Sequence, residues 1–210
     1  MAEYQLHCFA QSGNSYKPAL LLALAGADWE PLWVDFFNGG TKTPEYLALN
    51  EMGEAPLLVH GDLRLSQSGV ILDYLSQRFH DFAPKSEAER REVLRWTLWD
   101  NHKLTSYIAT LRFMRALMPA EKRDPAVIAF FDGRARTALK VLDNHLSARD
   151  WIAADRITTA DLGAVGYLYF PDEFAIDLAA YPNIERWRAA IAALPGWKHP
   201  YELMPGHPRG

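Results

Sequence analysis

Residues 55–68 read APLLVHGDLRLSQS, and the fold turns on how this stretch is parsed. Pro56 to His60 is an apolar run, Gly61-Asp62 is a turn pair, and Leu63 to Leu65 resumes the apolar pattern, which predicts two strands joined as a β-hairpin. At Gln67-Ser68 the period changes. Val70, Ile71, Asp73-Tyr74-Leu75 and Phe79 fit a helix that begins near Ser68. Upstream, Tyr4, Leu6 and Cys8 alternate with Gln5 and His7, the spacing of a strand. Ser12-Gly13-Asn14-Ser15 breaks it, and from Tyr16 the spacing is helical, with Pro18 tolerated in the first turn and Gly26 at the end. A second strand is expected over residues 32–36. A second helix is expected over 44–49, where Thr43 can cap and Pro44 takes the favoured first position. Residues 1–79 thus read βαβαββα.

Downstream the character changes. Residues 79–85, with Pro84, form a linker, and from Ser86 no period-2 segment remains. Ser86-Glu87-Ala88-Glu89 has the form of a capping box before a long run that Pro119 stops. Asp124-Pro125 opens a helix to about Ser147. Thr158-Thr159-Ala160-Asp161 is a second box, before a helix reaching Phe170, and Tyr181-Pro182-Asn183 precedes a last helix ending at Pro195-Gly196. The expected fold class is therefore α/β followed by all-α, with domains 1–79 and 86–210. The 210 residues, 49% hydrophobic and 23% charged, suit a folded globular protein. A net charge of -4 argues against a nucleic-acid face or attraction to anionic lipid. No apolar run approaches the ~18 residues of a membrane helix. No basic cluster precedes an apolar stretch at the start of the chain, so no secretory signal is read. The single cysteine, Cys8, has no disulfide partner and lies in a strand pattern, which fits a core position in a reducing cytoplasm.

Four stretches together resemble one family: Ser12 to Lys17, Ala55-Pro56-Leu57-Leu58, Leu65-Ser66-Gln67-Ser68, and Tyr181 to Trp187. Their order and spacing are similar to those of cytosolic glutathione transferases of the bacterial serine type (theta-, zeta- or nu-like), from Tyr4 to about Trp197. The resemblance implies a thioredoxin-like first domain that binds glutathione as substrate and a helical domain that forms the electrophile pocket. It also implies a cis bond before Pro56, which turns the backbone of Ala55 toward the tripeptide so that the ligand pairs like an added strand. Gln67 and Ser68 would hold the γ-glutamyl end, Ser68 standing at a helix start where unpaired N–H groups favour a carboxylate. Ser12, the first hydroxyl after the first strand, is the candidate catalytic contact. A thiol with pKa ~8.5 is little ionised at neutral pH, and a hydroxyl donor plus a helix dipole favour its thiolate. Ser15 and Asn14 are rival donors, and Lys17 is expected to face solvent.

One residue departs from the family pattern. Many relatives carry Lys or Gln two positions before the cis proline, beside the glycine carboxylate, where this chain has Glu54. Like charges at contact repel by about 1 kcal/mol in water-like surroundings. Either Lys42 or another cation compensates, or the ligand is bound weakly or differs. For the second substrate the resemblance points to Trp99, His102, Ser106 and Phe113, some of which share a helix face. Asp100 is either a solvated helix acid or reaches a glutathione across a dimer interface, and Asp161 is a structural cap. The histidines have no metal-ligand spacing and no glycine pattern suits a nucleotide, so neither a metal nor a nucleotide cofactor is expected. The expected function is a homodimeric glutathione S-transferase. Isomerisation, dehalogenation or peroxide reduction on the same thiolate, and a binding or regulatory module with little turnover, are the alternatives.

Overall fold

The computed structural model describes residues 2–206. Four strands form one sheet: β1 (Tyr4–Cys8), β2 (Trp29–Trp33), β3 (Leu57–His60) and β4 (Leu63–Ser66), in the order β2-β1-β3-β4. β1 runs parallel to β2 and antiparallel to β3. The hairpin read from residues 56–65 is present, with Leu57 opposite Ser66 and His60 opposite Leu63. β2 begins at Trp29 rather than Leu32, because its register is set by β1, Tyr4 facing Trp29 and Cys8 facing Trp33. An edge strand needs no apolar alternation, and the edge also accepts Pro31, which has no N–H to give a neighbour.

Helix α1 (Gly13–Leu24) starts at Gly13 rather than Tyr16, since the Ser12 side chain caps it by accepting the Ser15 N–H. It presses Tyr16, Leu20, Leu21 and Leu22 into the core, each fully buried, and the left-handed Gly26 follows its end. Thr43 caps α2 (Pro44–Leu49) through the Tyr46 N–H, as its position suggests. α3 spans Ser68–Ser76.

The chain divides into two compact units, and Pro84–Ala193 forms the second. It is helical: α4 (Glu87–Trp99), α5 (Thr105–Arg112), α6 (Pro125–Leu146), α7 (Thr159–Ala164), α8 (Pro171–Phe174) and α9 (Pro182–Ala192). The long run before Pro119 is interrupted by π-helical turns at Asp100–Leu104 and Phe113–Leu117, which rotate the faces that follow them. The box at Ser86 is only half made. Ser86 takes the Glu89 N–H at 3.1 Å, but the Glu89 carboxylate turns to Arg156 at 2.7 Å and to the Lys85 N–H at 2.7 Å, and the arginine holds its pKa down at about 2. α7 ends at Ala164 instead of reaching Phe170, because Gly163 lies in its last turn and Gly166 just beyond it, and the chain tightens into turns before Pro171.

The tail from Leu194 onward, assigned from the sequence to residues 86–210, groups with the first unit. It carries a short helix, α10 (Pro200–Leu203), which packs against α1. The Tyr16 hydroxyl, fully buried, donates to the Lys198 carbonyl at 2.8 Å.

Candidate glutathione site

Sheet register gathers the sequence-selected residues at one end. His7 pairs with Leu57, and Leu57 with Ser66. The segments that leave the sheet there are the turn after β1 with Ser12, the approach to β3 with Glu54, Ala55 and Pro56, and the exit of β4 with Gln67 and Ser68. The Ala55–Pro56 bond is cis. Ala55 is half-buried, and neither its N–H nor its C=O has a partner among the described residues. A loop backbone with both groups open is able to pair with an extended ligand.

The loop before it is held from within. The Glu54 carbonyl accepts from Tyr46 Oη at 2.9 Å and from Asn50 Nδ2 at 2.7 Å. Burial pushes the Tyr46 phenol up to about 12, so it stays a donor. Neither residue stands out in the sequence, Tyr46 lying inside the helix expected over 44–49 and Asn50 just beyond it. Their signal was two polar side chains at i and i+4 at the end of a short helix, both buried here. Lys42 Nζ donates to the Gly53 carbonyl at 2.8 Å, one residue from Glu54. Lys42 is exposed as a residue and its ammonium has three donors, so it can also meet an incoming carboxylate.

Glu54 is engaged with the protein itself, since its Oε2 accepts from Gln67 Nε2 at 3.0 Å, and the same amide lies 3.1 Å from Met52 Sδ. Gln67 has φ +67°, a left-handed value that costs a side-chain-bearing residue about 1–3 kcal/mol. That conformation aims the start of α3 outward. Gln67 occupies the cap position yet makes no side-chain cap, and Ser68 is the first helical residue, in agreement with the helix start expected near it. The Ser68 side chain is nearly buried and its hydroxyl has no partner among the described residues. The first backbone bond of the helix runs from the Ile71 N–H to the Gln67 carbonyl, leaving the preceding amides open.

Ser12 is 5% exposed, and its Oγ accepts the Ser15 N–H at 3.0 Å, so its own proton remains to be donated. Its N–H bonds the Phe9 carbonyl at 3.0 Å. Asn14 is half-buried in the same helical turn. Ser15 is fully buried with no partner for its Oγ among the described residues. Neither α1 nor α3 carries an acid in its first turn, whereas α4 and α7 do. The positive ends of two helices are therefore uncompensated at one edge of the sheet. Lys17 is 1% exposed, contrary to the solvent position expected of it, because α1 is buried on every side from Ser15 to Leu22 and has no solvent face there. Cys8 is fully buried, and desolvation pushes its thiol up to about 12, which makes it core and no nucleophile.

The family model "Glutathione S-transferase, N-terminal domain" matches residues 4–77, and "Glutathione S-transferase, C-terminal domain" matches residues 106–195. The chain belongs to the glutathione S-transferase family. It is 31% identical to a maleylacetoacetate isomerase of Pseudomonas aeruginosa, over 93% of this chain and 95% of that one. It is 30% identical to glutathione S-transferase 3 of Zea mays, over 98% of this chain and 96% of that one. The theta-class glutathione S-transferase of Xanthomonas axonopodis pv. citri, solved with glutathione bound, superposes with a TM-score of 0.87 at 26% identity, covering 93% of this chain and 95% of that one.

In the helical unit of this transferase, Trp99 packs edge-on against Trp96 and borders a cleft of about 200 Å³ with Lys103, Tyr107 and Arg134. His102, Ser106 and Phe113 are exposed and do not line that cleft. The Ser106 hydroxyl donates to the Asn101 carbonyl. Asp100 is 2% exposed and accepts from Thr105 Oγ1 at 2.8 Å, so it is not the solvated acid that its sequence context suggested. The π-helical turn at Asp100–Leu104 is what rotates it inward.

Proposed function

We propose that this transferase binds glutathione across Ala55, with the γ-glutamyl carboxylate at the Ser68 amides and the glycine carboxylate at Lys42, and activates the thiol through Ser12. The observation that carries the reading is the pair of helix starts, at Ser12 and at Gln67-Ser68, both without acids and both at the open end of the sheet. The Ser12 hydroxyl donates to the sulfur, and the α1 dipole adds to the preference for thiolate. The thiol proton leaves to solvent. The thiolate then attacks an electrophilic carbon, forming a C–S bond as the leaving group departs, and the protein is not modified.

An apolar, electrophilic second substrate is supported by the Phe9 ring, whose own carbonyl holds the Ser12 N–H. That ring stacks on the exposed Phe36 at 4.7 Å, with Phe37 edge-on to both. Leu94 and Leu98, 51% and 61% exposed at i and i+4 on α4, support a homodimer. A cytoplasmic location agrees with the reduced, buried Cys8.

A second reading, a binding module with little turnover, is favoured by Glu54. Titration calorimetry with glutathione decides between the two when repeated on Glu54→Lys. Micromolar or tighter binding by the unaltered protein, with conjugate formed from a halonitroarene, is the expected result. Binding that emerges only after the substitution would establish the module instead. The isomerase among the relatives makes glutathione-dependent isomerisation the reaction to assay beside conjugation.

A further inference from the structure

We infer that the C-terminal tail positions the catalytic turn: the carbonyls of Pro205 and Gly206 hold Ala10 and Gln11 so that the Ser12 hydroxyl points where a thiol would lie. The inference rests on the reading of Ser12 given above. The sheet ends just before this turn, the Val34 N–H on the Cys8 carbonyl being the final backbone bond between the two connections. Ala10 is fully buried, and its N–H reaches the Pro205 carbonyl at 2.8 Å. Gln11 is 6% exposed, and its Nε2 donates to the Gly206 carbonyl at 3.0 Å. Both residues before Ser12 are thus tied to a segment at the far end of the chain.

The tail is itself closely fitted. Tyr16, in the helix that Ser12 caps, bonds the Lys198 carbonyl, and Met204 is 4% exposed. Gly196 has φ +89°, and a Cβ there would stand 2.6 Å from the Ala23 carbonyl oxygen. Gly206 has φ +85°, and a Cβ there would stand 2.3 Å from Trp33 Nε1. Glycine is needed at both positions on two grounds, conformation and space. A backbone N–H as deeply buried as that of Ala10 requires an acceptor, and Pro205 supplies it. Displacing the tail would let residues 10–11 relax, and a shift of about 1 Å at a catalytic group is enough to cost a large factor in rate. Gln11, Pro205 and Gly206 are positioning residues, since none is placed against the sulfur.

The test is the pH titration of the thiolate absorbance of enzyme-bound glutathione, read with kcat and KM on four variants. Gln11→Leu keeps the side-chain volume and removes the donor, and Gly206→Ala disturbs the tail. Both are expected to raise the bound thiol pKa by about half a unit to one unit and to lower kcat about fivefold at neutral pH. The KM for glutathione and the denaturation midpoint should change little in Gln11→Leu. Adding Trp33→Ala to Gly206→Ala is expected to restore part of the loss, because it clears the space the new methyl needs. Ser12→Ala separates the two claims. If it raises the thiol pKa while Gln11→Leu and Gly206→Ala leave it at the unaltered value, the role of the tail is overturned and the Ser12 reading stands. If Ser12→Ala itself leaves the pKa unmoved, the Ser12 reading fails. Should Gly206→Ala not fold, Gln11→Leu decides the question alone.

Discussion

The starts of α3 and α7 face the same problem and resolve it in opposite ways. Every helix begins with backbone N–H groups that have no partner inside it. At α7 the protein supplies its own acceptors. Thr158 and Asp161 close a reciprocal capping box, and the fully buried Asp161 carboxylate accepts from the Ile152 N–H at 2.9 Å, the Thr158 N–H at 2.8 Å, Thr158 Oγ1 at 3.1 Å and Trp187 Nε1 at 3.0 Å. At α3 there is no side-chain cap, Gln67 is held at positive φ, and the Ser68 hydroxyl has no acceptor or donor among the described residues. A self-satisfied start stabilises the fold. An unsatisfied one, held in place by the sheet, is what the carboxylate site proposed at Ser68 requires.

The comparison is broken most severely at Asp161. Asp161→Ala leaves buried donors with no acceptor, and urea denaturation should show a loss of about 4 kcal/mol, the scale of breaking a buried charged network. A folded variant within about 1 kcal/mol of the unaltered protein would mean that water replaces the carboxylate, and that α7 is no more closed than α3.

The protonation of Asp161 sharpens the contrast. Desolvation raises its carboxyl to about 6, against the pull of the Ile152 N–H, Trp187 Nε1 and Thr158. The folded pKa lies above the unfolded value near 4, so the folded state binds the proton more tightly. The stability contributed by the acid form is present below about pH 4 and is lost as pH rises through about 6. The difference in unfolding free energy between the unaltered protein and Asp161→Asn should therefore shrink by about 2 kcal/mol between those limits. Denaturation curves of both proteins across that range check the sign, and parallel curves would show that its donors hold the carboxylate at an ordinary pKa.

The smallest effect is a crossed pair. Thr158→Ala should cost about 1–2 kcal/mol in stability and leave glutathione affinity unchanged. Ser68→Ala should leave the denaturation midpoint nearly unchanged and weaken glutathione about tenfold, the worth of one hydrogen bond to a charged group. Calorimetry and denaturation on both variants complete the cross. Equal effects of Ser68→Ala on both measures would make Ser68 a structural residue like Thr158.

Both helix starts were visible in the sequence, but only as types of residue in an order. Thr158 to Asp161 reads as a box because its partners lie within a few residues of each other. Ser68 reads as a helix start by the same reasoning and is one, while the positive φ of Gln67, which takes the cap position, leaves no local trace. Lys17 and Asp100 were misplaced for a related reason. Burial depends on what surrounds a helix and how its turns are wound: α1 is covered on every side from Ser15 to Leu22, and Asp100 is buried in the π-helical turn at Asp100–Leu104. The start of β2 was misjudged because an edge strand takes its register from its neighbour.

The sequence by itself determined the hairpin at residues 56–65, the change from mixed to helical architecture after residue 85, and the presence of Ser12, Pro56 and Gln67-Ser68 in the family's order. Each depends on interactions that close within a few residues, so each is written in local spacing. Only the tertiary structure decided that those positions share one end of the sheet, that Glu54 is occupied by Gln67, and that Gln11 meets Gly206 across a sequence separation of 195. Contacts of that range are selected by the packing of the whole unit, and no local period records them.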